Sequence, residues 1–221
     1  MTEEIIVLAS GSITGGGSGF EKLVEHFNFG DRPARVVGVV SNVLGGGVES
    51  RATRLGIPFM HLPNAECTVE GYRRIAPYFG VSNPWYACSG WLRLVLGLPY
   101  GRGFNIHPAL LCLLKGRFGG PGKYGHFVHE DVKRAFDEGL IDHSGFTMHF
   151  LGDEYDRGRA FAEYWVKIHH HMSADDIGAA VNAEEHRLQP MLTELVVTRQ
   201  IRLEGDRLIV PKDYEYLPFS S

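Results

Sequence analysis

The sequence predicts an open α/β fold, a mainly parallel twisted sheet with helices on both faces. Three observations carry this expectation. Short apolar runs alternate with segments of helical spacing through residue 89. Much of the glycine is clustered at 15–17, 45–47 and 116–125, as in special loops between elements, and not spread as in a linker. Farther on, Phe146, Met148 and Phe150 alternate with Thr147 and His149, the period of a half-buried strand. Short apolar strands that alternate with helices belong to parallel sheets covered on both sides.

Residues 4–9 form the first strand and run into the Ser/Gly segment 10–19. The helix that follows covers 20–27, with Phe20, Leu23, Val24 and Phe27 on one face. Residues 35–40 make a second buried-type strand ending at Ser41-Asn42. Residues 49–55 read as a helix, 57–61 as a third strand, and 69–79 as a helix leading to a strand at 85–89. An extended stretch carries 104–107, and strands follow at 146–150 and 159–168. Ser173 suits a helix N-cap, with Asp175 and Asp176 where carboxylates favour the helix dipole. The helix beyond it carries Ile177, Val181, Leu188, Leu192 and Leu195 on one stripe, and Pro190 is expected to kink it. No linker-like stretch separates the halves, so 1–221 reads as one domain.

Composition narrows the function classes. The chain has 22 Lys+Arg against 26 Asp+Glu, a net charge of −4, which argues against a nucleic-acid partner. With 44% hydrophobic residues it is too apolar for a disordered chain. No apolar run approaches the roughly 18 residues of a membrane span, and the acidic start does not resemble a secretory signal. Cys67, Cys88 and Cys112 are odd in number, far apart and form no CxxC pair, which points to reduced thiols in the cytoplasm. His169-His170-His171 does not suit a metal, because consecutive residues do not converge on one ion and no Cys or acid sits at ligand spacing.

Two segments carry the chemistry. The loop 10–19, between a strand and a helix, can aim backbone N–H groups at a phosphate, although it lacks the Lys-Ser/Thr pair of a P-loop. A flexible connection is the plainer reading of the same residues. In the stretch Phe104-Asn-Ile-His-Pro, Asn105 and His107 lie two apart and point the same way. An amide and a protonatable ring on one side can both stabilise oxygen that gains charge during acyl transfer. The acidic loop Asp153-Glu-Tyr-Asp156 is either a solvated turn or the source of a carboxylate for the histidine, and spacing alone leaves both open.

These pieces together resemble the folate-dependent formyltransferases, and within them the branch that acts on glycinamide ribonucleotide in purine biosynthesis. The matching residues are Asn105-Ile-His107-Pro-Ala-Leu-Leu, Met148-His-Phe150, Asp153-Glu-Tyr-Asp156-x-Gly158, and Glu185-His186 before Pro190. Ser41-Asn42, Gly90-Trp-Leu-Arg93 and the N-terminal strand and Gly loop fit as well, in the family's order across nearly the whole chain. The resemblance implies a Rossmann-like N-terminal half, 1–100, that binds phosphate, and a folate-binding catalytic half, 101–221. It implies 10-formyltetrahydrofolate as co-substrate, no metal, glycinamide ribonucleotide as acceptor, and compatibility with a homodimer.

Residue by residue, the resemblance makes Asn105, His107 and Asp156 the catalytic trio. Gly15, Gly16, Gly17, Ser18 and Gly19 become the phosphate cradle. Arg93, Leu94, Asn105 and Asp153 fall on the folate side, and Glu185 at the acceptor's amine. The implied mechanism is direct amine attack, with Asn105 and protonated His107 on the tetrahedral oxygen and Asp156 holding His107 charged. Other readings are a formyltransferase of the same fold acting on another amine, such as a nucleotide amino sugar, and a non-catalytic folate-binding relative. The chain departs from the family's pattern in the longer Gly loop, in Val43 after Ser41-Asn42, and in an extra segment over 112–125. That segment is expected to be a mobile lid in which Lys115, Arg117 and Lys123 reach an anionic acceptor.

Overall fold

The computed structural model describes residues 2–216. Seven strands form one sheet, and the predicted first strand, β1 (Glu3–Leu8), lies third from one edge. Beside it on one side lie β2 (Ala34–Ser41) and β3 (Phe59–His61). On the other lie β4 (Trp85–Ser89), β5 (Gly103–His107), β6 (His143–Phe150) and β7 (Ala160–Lys167), in that order. The pairings from β3 through β5 are parallel, and β6 and β7 add antiparallel. A short hairpin, β8 (Arg202–Glu204) with β9 (Arg207–Ile209), stands apart from this sheet.

Alternation along β1 divides the core. Ile5 and Val7 face one apolar cluster, together with Phe20 and Leu23 of α1 (Ser18–Phe27). The same cluster takes Val48 and Ala52 of α2 (Gly47–Leu55). Ile6 and Leu8 face the other, where Tyr72 and Ile75 pack on the reverse side. The helix expected over 69–79 is two pieces, α3 (Val69–Arg73) and α4 (Ile75–Tyr78).

Helix α5 (His126–Asp137) was not anticipated, yet it buries Val128, Val132, Ala135 and Phe136 at helical spacing. Helix α6 (Ala174–Val197) opens with a reciprocal cap between Ser173 and Asp176, as Ser173 predicts. It runs through Pro190 as one helix. No helix among the described residues is long and apolar enough to cross a membrane.

The strand order reverses between β1 and β4, where connections leave the sheet in opposite directions. In open parallel sheets this switch point opens a crevice at the carboxyl ends of the strands. Ser10 and Ser41 tie its floor together. Ser41 Oγ donates to the Ser10 carbonyl at 2.8 Å, and Ser10 Oγ accepts the Leu92 N–H at 3.0 Å.

Candidate active site

A cleft of about 580 Å³ lies over this crevice. Its walls come from the loop after β1, the ends of β4 and β5, the loop before α5, the loop after β6, and α6.

Asn105 and His107 sit at the carboxyl end of β5, on the same side of the strand. The register with β6 places His149 opposite Asn105 and Thr147 opposite His107. Thr147 then fixes the turn beyond His107. Its hydroxyl donates to the Ala109 carbonyl at 2.9 Å and accepts the Leu111 N–H at 3.0 Å.

Asp156 arrives from the loop between β6 and β7 with a backbone φ of 55°, in the left-handed region that Asp and Asn tolerate best after Gly. Its Oδ1 lies 3.5 Å from three atoms: Asn105 Nδ2, His107 Nδ1 and His149 Nε2. Its Oδ2 accepts the Gly120 N–H at 2.9 Å. Burial alone would raise this carboxyl. The His149 and His107 rings and the Gly120 N–H outweigh it and hold Asp156 below its ordinary pKa, so it is anionic at neutral pH.

The imidazole of His107 is only 4% exposed. Its Nε2 lies 2.8 Å from the Phe118 carbonyl, a contact that requires the proton on Nε2. Nδ1, facing Asp156, is therefore the nitrogen that gains or loses a proton. Burial pushes the ring below its ordinary pKa, while Asp156 and the Phe118 carbonyl push it up without prevailing. The expectation that Asp156 keeps His107 charged is corrected on this point, because desolvation of the ring outweighs the carboxylate in the free site.

His149 organises the amide. Its Nδ1 donates to the Phe150 carbonyl at 2.9 Å, and its Nε2 lies 3.3 Å from Asn105 Nδ2. The sequence places His149 on the Thr147 side of the strand but gives it no role.

The opposite wall is α6. Glu185 is buried on it, accepts from Asn182 Nδ2 at 3.1 Å, and is pushed by burial up to about 7. His186 bonds Ser18 Oγ at 3.0 Å. His129, from α5, also faces the cleft as a neutral ring, with burial lowering it to about 4. Neither His129 nor Gln189 was singled out from sequence. The helical spacing of α5 places His129 among buried residues, but only the packing of α5 on α6 turns it toward the cleft.

At the far end is the loop before α1. Gly16, Gly17, Ser18 and Gly19 line the cleft, and no side chain caps the helix. Its first N–H groups are thus open to an anion. Gly16 has φ 94°, and a Cβ there would lie 2.3 Å from the Gly11 Cα, so the tight loop needs glycine. Gly15 lies outside the lining, because its carbonyl turns back to accept the Ser12 N–H at 2.8 Å.

Of the residues placed on the folate side, Arg93 and Leu94 line a smaller recess of about 40 Å³ behind Asn105 and His149. Asp153 is exposed and lines neither cavity. Tyr155 turns inward instead, its hydroxyl accepting the Leu94 N–H at 2.9 Å.

The segment 112–125 is anchored at its middle, and its residues 120–125 line the cleft. Phe118 is fully buried in the core, and its carbonyl holds His107. Arg117 and Lys123 both reach Asp131 of α5, at 2.8 and 2.6 Å, and Lys123 also lines the cleft. Burial of the carboxylate on α5 draws these cations inward.

This geometry now meets known proteins. A family model described as formyl transferase matches residues 4–193. The chain belongs to the formyl transferase family. Among curated relatives, a chloroplastic phosphoribosylglycinamide formyltransferase of Arabidopsis thaliana is 31% identical over 205 residues, covering 88% of this chain and 66% of that one. The corresponding protein of Vigna unguiculata is 30% identical, covering 91% and 65%. The chain thus spans just under two thirds of the length of these plant relatives. Among solved structures, glycinamide ribonucleotide transformylase 1 from Symbiobacterium toebii superimposes with a TM-score of 0.76 at 25% identity, covering 95% of this chain and 94% of that chain. A phosphoribosylglycinamide formyltransferase from Brucella melitensis gives 0.71 at 27% identity, covering 89% and 96%.

Proposed function

We propose that the protein transfers the formyl group of 10-formyltetrahydrofolate to the primary amine of glycinamide ribonucleotide. The observation that supports this most is the meeting of Asn105, His107 and the Asp156 carboxylate at one point of a cleft whose far end is an uncapped helix N-terminus. A neutral amine attacks the formyl carbon, and a tetrahedral centre forms with charge on its oxygen. Asn105 donates its amide N–H to that oxygen, and His107 donates from Nδ1 once protonated there. Asp156 stabilises the imidazolium as it forms and stays ionised itself. Collapse breaks the bond from carbon to the folate nitrogen, which takes up a proton as the attacking amine loses one. No covalent bond to the enzyme is needed, and Cys112 is pushed up to about 12, far from a thiolate.

In this reading Gly16–Gly19 hold the phosphate, Glu185 meets the acceptor near its amine, and Arg93 and Leu94 lie along the folate. His129 is a further wall residue. No metal takes part. The three free cysteines suit a reducing compartment such as the cytoplasm.

The test is to incubate the purified protein with 10-formyltetrahydrofolate and either glycinamide ribonucleotide or a nucleotide amino sugar, following release of tetrahydrofolate and the formylated product. Turnover with glycinamide ribonucleotide supports the reading. Turnover with the amino sugar alone moves the acceptor, and folate binding without turnover leaves a binding protein.

A further inference from the structure

Seven buried side-chain polar atoms among the described residues have no hydrogen-bond partner. Two of them, His129 Nδ1 and Gln189 Nε2, belong to residues that line the cleft. Gln189 is the more enclosed, at 1% exposure. It projects from α6 one turn beyond Glu185, and its Oε1 accepts from Ser89 Oγ at 3.2 Å. Gly19, in the first turn of α1, packs directly on this pair. A Cβ at Gly19 would lie 2.9 Å from Oε1 and 2.1 Å from the Ser89 oxygen. The amide is thus wedged between the end of β4 and the start of α1. One end is satisfied, and the two N–H bonds of Nε2 have no acceptor.

A buried donor left unmade costs about 1–3 kcal/mol, so such groups in native proteins call for a specific explanation. Here the residue borders a cleft, and the missing acceptor can come from a ligand. The Ser89 hydroxyl donates to Oε1, so the carbonyl end of the amide is held and the N–H end is left open. The neighbouring helix N-terminus favours anionic oxygen. Glu185, one turn away, leads toward the reacting amine.

We infer that Gln189 is a specificity-determining residue for the acceptor, donating its free amide N–H to an oxygen of the acceptor's phosphorylated ribose. This rests on the acceptor proposed above and adds to it a contact on the span between the amine and the helix N-terminus. An amide donor buried against Ser89 selects oxygen and rejects an apolar group, which would leave the donor unpaired.

The experiment compares the wild-type chain with Gln189→Leu and the near-isosteric Gln189→Glu. Steady-state rates are measured with glycinamide ribonucleotide and 10-formyltetrahydrofolate, and binding of inorganic phosphate and of ribose 5-phosphate is measured by calorimetry. Gln189→Leu is expected to raise the acceptor KM about tenfold, the equivalent of one lost hydrogen bond. The kcat and the folate KM should stay near wild type. Gln189→Glu should be worse, since it sets a carboxylate against the acceptor oxygen, and its matched volume keeps the test open if the leucine variant does not fold.

Weaker binding of both probes places the contact on a phosphate oxygen. Weaker binding of ribose 5-phosphate alone places it on a ribose hydroxyl. Folded variants with wild-type KM and wild-type binding of both probes would overturn the inference, as would a fall in kcat at unchanged KM. A wild-type chain that binds both probes but does not formylate glycinamide ribonucleotide would refute the proposed function while still reporting on Gln189.

Discussion

On one wall of the cleft Asn105, His107, His149 and Asp156 reach one another or nearby backbone, whereas on the other His129 and Gln189 each keep a buried nitrogen with no partner. The first wall is organised before any ligand arrives. Its dipoles are held by Phe118, Phe150 and Gly120, so little reorganisation is left for the moment of reaction. The second wall is finished only by what binds there. Catalysis gains from an environment fixed in advance, and selectivity gains from groups that remain unsatisfied unless the right partner is present.

The hardest test of this contrast is at His107 and Asn105. Alanine at either position should lower kcat by roughly 10²–10³ with folate binding nearly unchanged. Stopped single-turnover rates beside equilibrium folate titrations will check it. Equal losses in rate and folate affinity would make both residues substrate anchors and erase the difference between the walls.

Next is Asp156→Asn. Asparagine also tolerates positive φ and can still accept the Gly120 N–H, so the fold should hold. Loss of the carboxylate should cost roughly 10²-fold in kcat. Asp156 raises the His107 pKa against burial, so its removal lowers that pKa further. The imidazolium is then lost at lower pH, and the high-pH decline of kcat should move to lower pH. A profile with its alkaline limb in place would show that Asp156 does not govern the ring.

Glu185 sharpens the contrast through stability. Its folded pKa, about 7, stands above the ordinary 4.5 because the carboxyl is buried. The raised value means the group favours the folded state fully below pH 4.5 and loses that contribution as pH rises through 7. Glu185→Gln should therefore flatten the pH dependence and stabilise the free protein by roughly 3 kcal/mol at pH 8. Urea unfolding at pH 5 and pH 8 will show this. Equal pH dependence in the two proteins would mean that the acid wall carries no such strain.

The smallest effect should come from Asp131→Asn, which releases Arg117 and Lys123 from α5. The core anchor at Phe118 remains, so kcat should fall by only a small factor. The loop should become a preferred site of limited proteolysis. An intact loop under protease would show that Phe118 alone pins it.

Much of this was legible in the amino-acid pattern. The apolar strands announced a parallel sheet because strands buried on both faces have few polar positions. Asn105 and His107 were readable as a pair because a strand's period of two aims both the same way. The tie to Asp156 needed the family resemblance, since the loop that delivers it is ordered only by its neighbours. In the region 112–125 the glycines were visible while the anchors were not. Phe118 is a single apolar residue in a Gly-rich run, and Asp131 lies on a helix that the run of glycines before it obscures. Gln189 could not be read at all, because a lone amide on a helix reveals its missing partner only when Ser89 and Gly19 are packed around it.

The pairing of β5 with β6 has a consequence for errors in assembly. A slip of β6 by one residue would turn its side chains to the opposite face. Met148 would then turn into the cleft, and His149 into the apolar cluster that holds Phe104. Such a misfolded sheet would bury an imidazole among aromatic rings at a cost of several kcal/mol. The same hydrophobic residues that build the core therefore proofread the chemistry. A molecule that has lost its catalytic register has also lost much of the stability it needs to persist.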